Sequence, residues 1–193
     1  MSIPAVDKRG ERYTWSDYRV WSDDEHWEII GGVAYAMSPA PSTRHQTVVG
    51  NLFAKILPHL SGKPCRPLIA PTDVRLSETD VVQPDILVVC DPAKIMATHI
   101  EGAPDVVVEV LSPNTSTKDL REKKALYERS GVREYVVVDP LEHYALRFLH
   151  GADGYDKGTV FGADEKLSFA TLEGVEVALW EVFEVAGPAA QAS

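Results

Sequence analysis

Cysteine is scarce in this chain, and long apolar runs are absent. The two cysteines, Cys65 and Cys90, stand alone in different contexts, which predicts neither a disulfide framework nor a Cys-x-x-Cys metal pair. The longest apolar runs are four or five residues, too short to span a bilayer. The first fifteen residues also lack the apolar core of a signal peptide. These absences together predict a cytoplasmic protein.

Several common catalytic motifs are missing as well. No Gly-x-Gly-x-x-Gly, Walker A loop or Gly-x-Ser-x-Gly elbow occurs, which disfavours a dinucleotide fold, a P-loop enzyme and a serine hydrolase. The six histidines never stand at His-x-His or His-x-x-x-His spacing. A zinc site is therefore poorly supported.

Basic residues are outnumbered, with 19 Lys and Arg against 29 Asp and Glu and a formal net charge of −10. Nonspecific nucleic-acid binding usually needs a basic face, so this total counts against it. The acidic excess is uneven, however. Residues 44–75 hold five basic residues to one acidic, and residues 118–133 hold six to three. A nucleic-acid partner therefore stays open.

The order of apolar patterns predicts one domain over residues 1–184 and a disordered tail over 185–193. A hairpin is expected at 27–37, turning at Gly31-Gly32, and a helix begins after Ser42 or Thr43 as N-cap. The remaining predicted elements are strands at 65–77, 81–90, 102–112 and 133–140, a helix at 117–130 and a small β extension beyond residue 140. Strands that are apolar on both sides predict an α/β fold, a mixed central β-sheet covered on both faces by helices.

Three carboxylates in the two central strands need an explanation, because an ionised carboxylate in apolar surroundings is costly unless it is paired or bound to a metal. Asp105 and Glu109 share a strand face but lie roughly 13 Å apart, too far for one cation. Asp105 is best interpreted as a strand-entry residue. Asp85 begins the preceding strand, and if the two strands are neighbours, Asp85 and Glu109 could converge on one cation. Such an oxygen-rich site suits Mg²⁺ or Mn²⁺.

Lys123 is the basic partner that helical geometry favours for these acids. A helical wheel over 117–130 places Lys123 within the apolar stripe and Lys124 at its margin. A lysine that faces the core usually extends to solvent or pairs with an acid. A simple Lys123–Glu109 ion pair, with no catalytic meaning, is the alternative to a functional site.

The order Asp, then Glu on the next strand, then Lys resembles the PD-(D/E)XK nuclease superfamily. The chain is more closely similar to one bacterial branch, the Uma-two family, described as putative restriction endonucleases. The stretches that resemble it are WEIIGGVAYAMSPAPSTRHQTVVGNL, APTDVRLSETDVVQPDILVV, IEGAPDVVVEVLSPNTSTKDLREKKALYERSGVREYVVVDP and EGVEVALWEVF. Together they run from about residue 14 to residue 184. The implied fold is a restriction endonuclease-like core with an added N-terminal hairpin and a C-terminal β extension.

The resemblance implies catalytic roles for Asp85, Glu109 and Lys123. Asp85 and Glu109 resemble the two metal-binding acids, and the Val110 carbonyl is an expected third ligand. One departure from the superfamily pattern is Leu111, which stands where a strand lysine is expected. In this branch the lysine is implied to have moved to the following helix, at Lys123.

Three further positions, Glu28, His45 and Gln83, match the branch and are implied to line the site. Each also has a structural interpretation, as a hairpin-edge acid, a helix N-terminal histidine and a pre-proline amide. Basic residues near the helices, Arg44, Lys55, Arg121 and Arg129, could hold a nucleic-acid backbone.

The implied reaction is Mg²⁺-dependent or Mn²⁺-dependent hydrolysis of nucleic-acid phosphodiester bonds, with DNA as the expected partner and a homodimer as the expected assembly. In this scheme the cation polarises a phosphate oxygen and lowers the pKa of a water. Lys123 positions that water and offsets negative charge in the transition state. Two alternatives remain: a nuclease-like fold that serves as a binding or assembly module, and a metal-dependent hydrolase of a small phosphorylated substrate.

Overall fold

Fourteen strands and four α-helices make up the part of the chain that the computed structural model describes, residues 11–21, 26–37, 41–112 and 119–188. The strands are β1 (Trp27–Ile30), β2 (Val33–Ala36), β3 (Arg66–Ile69), β4 (Val74–Ser77), β5 (Asp80–Val82), β6 (Ile86–Val89), β7 (Ile100–Glu101), β8 (Val106–Val110), β9 (Glu134–Asp139), β10 (Tyr144–Gly151), β11 (Gly154–Tyr155), β12 (Thr159–Gly162), β13 (Lys166–Ser168) and β14 (Glu176–Ala178). The helices are α1 (Trp15–Tyr18), α2 (Thr43–Leu60), α3 (Lys124–Ser130) and α4 (Leu179–Phe183), with a 3₁₀ turn at Pro92–Lys94 and a π-helical turn at Asp119–Lys123.

A seven-stranded mixed sheet lies at the centre. Its order is β11-β10-β9-β8-β6-β3, with β12 also paired to β10. Strands β8 and β9 are parallel, whereas β6 runs antiparallel to both of its neighbours, β3 and β8. A second sheet of five strands has the order β2-β1-β5-β4-β7, and β13 pairs with β14. The α/β class and mixed central sheet predicted from the sequence are confirmed.

The two faces of the central sheet are covered differently. On one face, Ile86, Val88 and Val108 pack in a core with α2, α4 and the β13–β14 pair. On the other face, Leu87 and Val107 pack against α3 and against residues of the five-stranded sheet. The prediction of helices on both faces was therefore incomplete, because a second sheet shares the cover on the α3 side.

The parallel pairing of β8 with β9 requires a crossover connection, and that connection holds the π-helical turn and α3. Gly131 ends α3 in a left-handed conformation with φ of 80°, one residue after the predicted end of the helix. The π-helical turn departs from the α-helical period assumed for 117–130. Turns of this kind are often found at functional sites.

The β1–β2 hairpin and α2 also contribute residues to the candidate site, although both are distant in sequence from β8. Local sequence features explain where the hairpin turns and where α2 begins. Gly31 and Gly32 both have positive φ, which permits the tight turn of the β1–β2 hairpin. The Ser42 side chain accepts the backbone N–H of His45 at 3.2 Å and so begins α2. Both elements lie where the sequence predicts them.

The interpretation of the two cysteines as unconnected residues was wrong. Cys65 and Cys90 form a disulfide. Strands β3 and β6 pair with Arg66 opposite Val89, so the next positions, which are the two cysteines, face each other. The disulfide therefore joins one end of this strand pair.

The prediction for residues 179–183 was also wrong. They were expected to belong to the β extension, but they form α4. Leu179, Val182 and Phe183 are buried in the core. Their spacing fits one face of a helix better than one face of a strand.

Some predictions fall outside the described residues. These include the end of the second central strand at Pro113-Asn114, the start of its following helix and positions 189–193 of the predicted tail. The single-domain boundary stays a prediction. Within the described residues, no helix is both long enough and apolar enough to cross a membrane.

Candidate active site

Asp85 and Glu109 lie beside each other at the junction of β6 and β8. Ile86 pairs with Val108 in the antiparallel ladder, so the next position places Asp85 opposite Glu109. Asp85 immediately precedes β6, and its Oδ2 accepts the backbone N–H of Val110 at 2.8 Å. Opposed residues of an antiparallel pair present their side chains on one face, roughly 5 Å apart. The strand pairing assumed from the sequence is therefore confirmed.

Lys123 is buried between two glutamates. Its Nζ donates to Glu109 Oε1 at 2.9 Å and lies 2.8 Å from Glu28 Oε1. The Lys123 side chain is only 6% exposed, and the two glutamate side chains are 5% and 3% exposed. The Lys123–Glu109 ion pair that the sequence left open as an alternative is present. It includes a second carboxylate, that of Glu28, which the resemblance implied to line the site but not to pair with Lys123.

Tyr127 completes this arrangement and was not recognised as a site residue in the sequence. It follows Lys123 by four residues, and its hydroxyl donates to the same Glu109 Oε1 at 2.7 Å. Burial, and then the negative charge of Glu109, raise the pKa of Tyr127 well above its usual value. The phenol therefore stays a donor. The i, i+4 spacing from Lys123 within an apolar stripe was the available signal.

His45 and Gln83 join the site in different ways. His45, buried at the start of α2, places Nε2 at 3.3 Å from Asp85 Oδ2. The backbone N–H of Gln83 donates to Glu28 Oε1 at 3.3 Å, whereas its side chain turns away toward Asp73. Gln83 therefore contacts the site through its backbone alone.

Asp105 lies apart from this cluster. Its Oδ2 accepts the backbone N–H of Cys90 at 2.7 Å, and its Oδ1 pairs with exposed Arg133 at 3.2 Å. The first contact ties the start of β8 to the end of β6. This geometry agrees with the interpretation of Asp105 as a strand-entry residue.

Most of the basic residues expected to hold a nucleic-acid backbone have partners within the protein. Arg44 donates to two backbone carbonyls, and Lys55 and Arg129 each pair with an acidic side chain. Arg121 is exposed and has no ion pair within residues 119–188 or the other described ranges. Three of the four thus have structural roles.

The donor set of the site fits a hard divalent cation. Asp85 Oδ1 has no hydrogen-bond partner among the described residues, and the side chain is 19% exposed, so this oxygen is reachable. The neighbouring carboxylate of Glu109 could supply a second oxygen. Mg²⁺ is commonly held by one or two carboxylates together with waters and substrate phosphates. No group of three or more His, Cys, Asp and Glu side chains arranged for a metal occurs in the described part of the chain, so a site of protein side chains alone is not formed.

The fold is that of a nuclease-like protein. A crystal structure from Anabaena variabilis, described as a putative nuclease belonging to DUF820, superposes with a TM-score of 0.74 over 89% of this chain and 97% of that one, at 16% identity. The model of the Uma2 family, described as putative restriction endonucleases, matches residues 15–180. This chain therefore belongs to the Uma2 family. It is also 30% identical over 128 residues to an uncharacterized protein of Synechocystis, slr1290, a match that covers 63% of this chain and 66% of that protein.

Proposed function

We propose that this protein is a metal-dependent endonuclease that hydrolyses phosphodiester bonds in DNA. The observation that carries the proposal is the placement of Lys123 between Glu28 and Glu109, beside Asp85. Family membership and the nuclease-like fold support it. A purely structural ion pair would need only one of the two glutamates.

Asp85, Glu109 and the Val110 carbonyl are the proposed ligands of Mg²⁺ or Mn²⁺. The Val110 N–H points toward Asp85, and in a strand the N–H and C=O of one residue project to the same side. The pairing of β6 with β8 holds Asp85 opposite Glu109. A divalent cation there supplies Lewis-acid polarisation of a phosphate and activation of a water.

Lys123 is proposed to orient the attacking water and to offset charge on the phosphate. Two carboxylates beside its ammonium group favour the charged form in a buried position. Tyr127 orients Glu109 through its hydrogen bond, and His45 orients Asp85. Glu28 is a positioning residue. It contacts Lys123 and accepts the backbone N–H of Gln83, two residues before Asp85.

The test compares two buried glutamates on adjacent strands. Glu109→Gln and Asp85→Asn remove proposed ligands. Glu134→Gln on β9 is the matched control, since Glu134 is fully buried and accepts two backbone N–H groups. Calorimetric titration with Mg²⁺ and Mn²⁺ and plasmid nicking are measured on the same samples. We expect both signals to fall more than about 100-fold in the first two variants and to persist in Glu134→Gln and Asp105→Asn.

Loss of metal binding in a Glu134→Gln variant that is folded by its circular dichroism spectrum would show that any buried glutamate is needed, and it would contradict the site. Metal binding without nicking by the wild type would point to another phosphorylated substrate. The homodimer stays a prediction, and sedimentation of the wild type with and without DNA tests it.

One observation favours a second candidate, a non-catalytic binding or assembly module. The net charge is −10, and Arg44, Lys55 and Arg129 are engaged within the protein. Such a module requires neither metal binding nor nicking, so a wild type that binds neither Mg²⁺ nor Mn²⁺ would favour it.

A further inference from the structure

A cleft of about 330 Å³ lies next to the candidate active site and has no role in the proposed chemistry. Its apolar walls include Pro71 and Met96, and its polar wall includes Asp73, Gln83 and His99. Pockets for small molecules range over about 300–1,000 Å³, so this cleft suits one ring system rather than a duplex.

The cleft and the active site share one residue. The Gln83 side chain lines the cleft, while the Gln83 backbone N–H donates to Glu28 Oε1, which lies 2.8 Å from Lys123 Nζ. Asp85 follows Gln83 by two residues. Gln83 therefore connects the cleft directly to the residues around Lys123.

Asp73 and Gln83 are pre-oriented by a closed hydrogen-bond network behind the cleft. Asp73 Oδ1 accepts from both the Tyr18 hydroxyl and Gln83 Nε2, each at 2.7 Å. Gln83 Nε2 also donates to the Tyr18 oxygen at 3.1 Å. Burial and the charge of Asp73 raise the pKa of Tyr18, which keeps its hydroxyl a donor.

This network leaves two acceptors unused. Within the described ranges, Asp73 Oδ2 and Gln83 Oε1 have no hydrogen-bond partner. No Lys or Arg from the described part of the chain lines the cleft, so a phosphate is disfavoured there. The ligand must instead present N–H donors along one edge.

One aromatic ring lines the cleft, that of His99, and it adds a preference for a flat ligand. The His99 ring is held at both nitrogens, by Thr98 at 3.1 Å and by Glu101 at 3.2 Å. Its centroid lies 4.6 Å from that of Trp15, which in turn stacks on Tyr18. Histidine is one of the aromatic side chains on which unpaired bases stack, and the contact with Trp15 supports the His99 ring from outside the cleft lining.

We propose that this cleft binds an unpaired guanine next to the scissile phosphate and thereby biases where the protein acts. Guanine presents two adjacent N–H donor groups on its Watson–Crick edge, and these match the acceptors of Asp73 and Gln83. Extruded bases are recognised on that edge and by stacking. The assignment rests on the proposed nuclease function for its biological meaning, but the binding can be measured without cleavage.

Asp73→Asn is the sharpest test. The amide oxygen of the substituted side chain can still accept from Tyr18 and Gln83. Only the other position changes, from an acceptor to a donor, and it has no partner within the described ranges. Asp105→Asn is the matched control outside the cleft, at a carboxylate that contacts Cys90 and Arg133.

Binding is measured in EDTA by fluorescence anisotropy with two labelled single strands, an oligothymidine of about nine nucleotides and the same strand with one central guanine. We expect the wild type and Asp105→Asn to favour the guanine strand at least about tenfold. Asp73→Asn, folded by its circular dichroism spectrum, should lose this preference.

Equal affinity of the wild type for both strands would overturn the proposal. So would a guanine preference that persists in Asp73→Asn, because the base would then lie elsewhere. The two hypotheses fail separately: guanine preference in EDTA without nicking in Mg²⁺ contradicts only the nuclease function, and nicking without guanine preference contradicts only the cleft assignment.

Discussion

Glu109 on β8 and Glu134 on β9 are buried on neighbouring parallel strands, yet their surroundings differ in kind. Glu134 accepts two backbone N–H groups, from Ala170 at 3.0 Å and Thr171 at 2.8 Å. The closest cationic atom to Glu134 among the described ion pairs is Arg147 Nε, at 4.0 Å. Glu109 instead accepts from two side chains, those of the lysine and the tyrosine that the crossover connection contributes.

The difference separates a structural carboxylate from a candidate catalytic one. Backbone N–H groups engage both oxygens of Glu134 and tie the strand to a loop, which leaves no room for chemistry. Around Glu109, a single ammonium group is shared with Glu28, and Asp85 lies opposite on the next strand. Burial of an acid alone is therefore a weak indicator of function, whereas a cation shared between two buried acids is a stronger one.

The substitution that should cost the most stability is at Lys123. Lys123→Met removes the cation between Glu28 and Glu109 and leaves two buried carboxylates uncompensated, which should lower the unfolding free energy by about 3–5 kcal/mol. Lys124→Met is the matched control, since Lys124 lies over the Phe148 ring at 4.0 Å and its loss should cost about 1 kcal/mol or less. Urea unfolding followed by circular dichroism measures both.

If Lys123→Met is too unstable to purify, the double variant Lys123→Met/Glu109→Gln restores the comparison. It carries one buried charge fewer and should recover part of the lost stability. Equal stability of Lys123→Met and Lys124→Met would mean that the ammonium group does not compensate the two acids.

A smaller effect on stability is expected from replacing each glutamate with glutamine, and it distinguishes Glu134 from Glu109. In Glu134→Gln, the amide NH₂ cannot accept, so one of the two backbone N–H groups loses its partner at a cost of about 1–3 kcal/mol. In Glu109→Gln, the amide oxygen can still accept from Lys123 and Tyr127, and the cost should be less. Thermal unfolding without metal compares them, and a larger loss in Glu109→Gln would reverse the assignment of the structural acid.

The smallest of the three expected effects is on how the unfolding free energy depends on alkaline pH. Because folding raises the pKa of Tyr127, the folded state holds the phenolic proton more tightly than the unfolded state. Its contribution to stability is full below about pH 10, the usual tyrosine pKa, and is lost as the pH rises above it. Tyr127→Phe should reduce this loss by at most about 1.4 kcal/mol per pH unit.

Denaturant unfolding at about pH 9 and about pH 11, on either side of the usual tyrosine pKa, tests this difference, with tyrosinate absorbance as a second signal. Tyr18 and Tyr155 also have raised pKa values, so the remaining slope should not be zero. An identical pH dependence in the wild type and Tyr127→Phe would contradict the raised pKa of Tyr127, which burial and then the charge of Glu109 produce.

Much of the candidate site could be predicted because its signals are local. A glutamate flanked by valines and a lysine within an apolar stripe both violate the usual pattern of their elements. The Pro-Asp pair at Asp85 is less informative, because Asp105 also follows a proline and lies outside the site. The only signal for Tyr127 was its i, i+4 spacing from Lys123, which is weak because a tyrosine in an apolar stripe is ordinary. Asp73 could not be singled out, since an aspartate near a strand is ordinary. The disulfide was missed for a similar reason: 25 residues separate Cys65 from Cys90, and only the β3–β6 register brings them together.

Residue order alone was enough to predict most of the elements and the acids that could not be buried without a partner. Periodicity and the costs of buried charge depend on neighbours along the chain, so they can be evaluated without the fold. Which partners meet depends on the packing of distant elements. The β1–β2 hairpin brings Glu28, the β6–β8 register brings Asp85, and the crossover from β8 to β9 brings Lys123 to the same glutamate. Two sheets and a helix must pack across many residues of separation to form these pairs, and no local pattern encodes that packing.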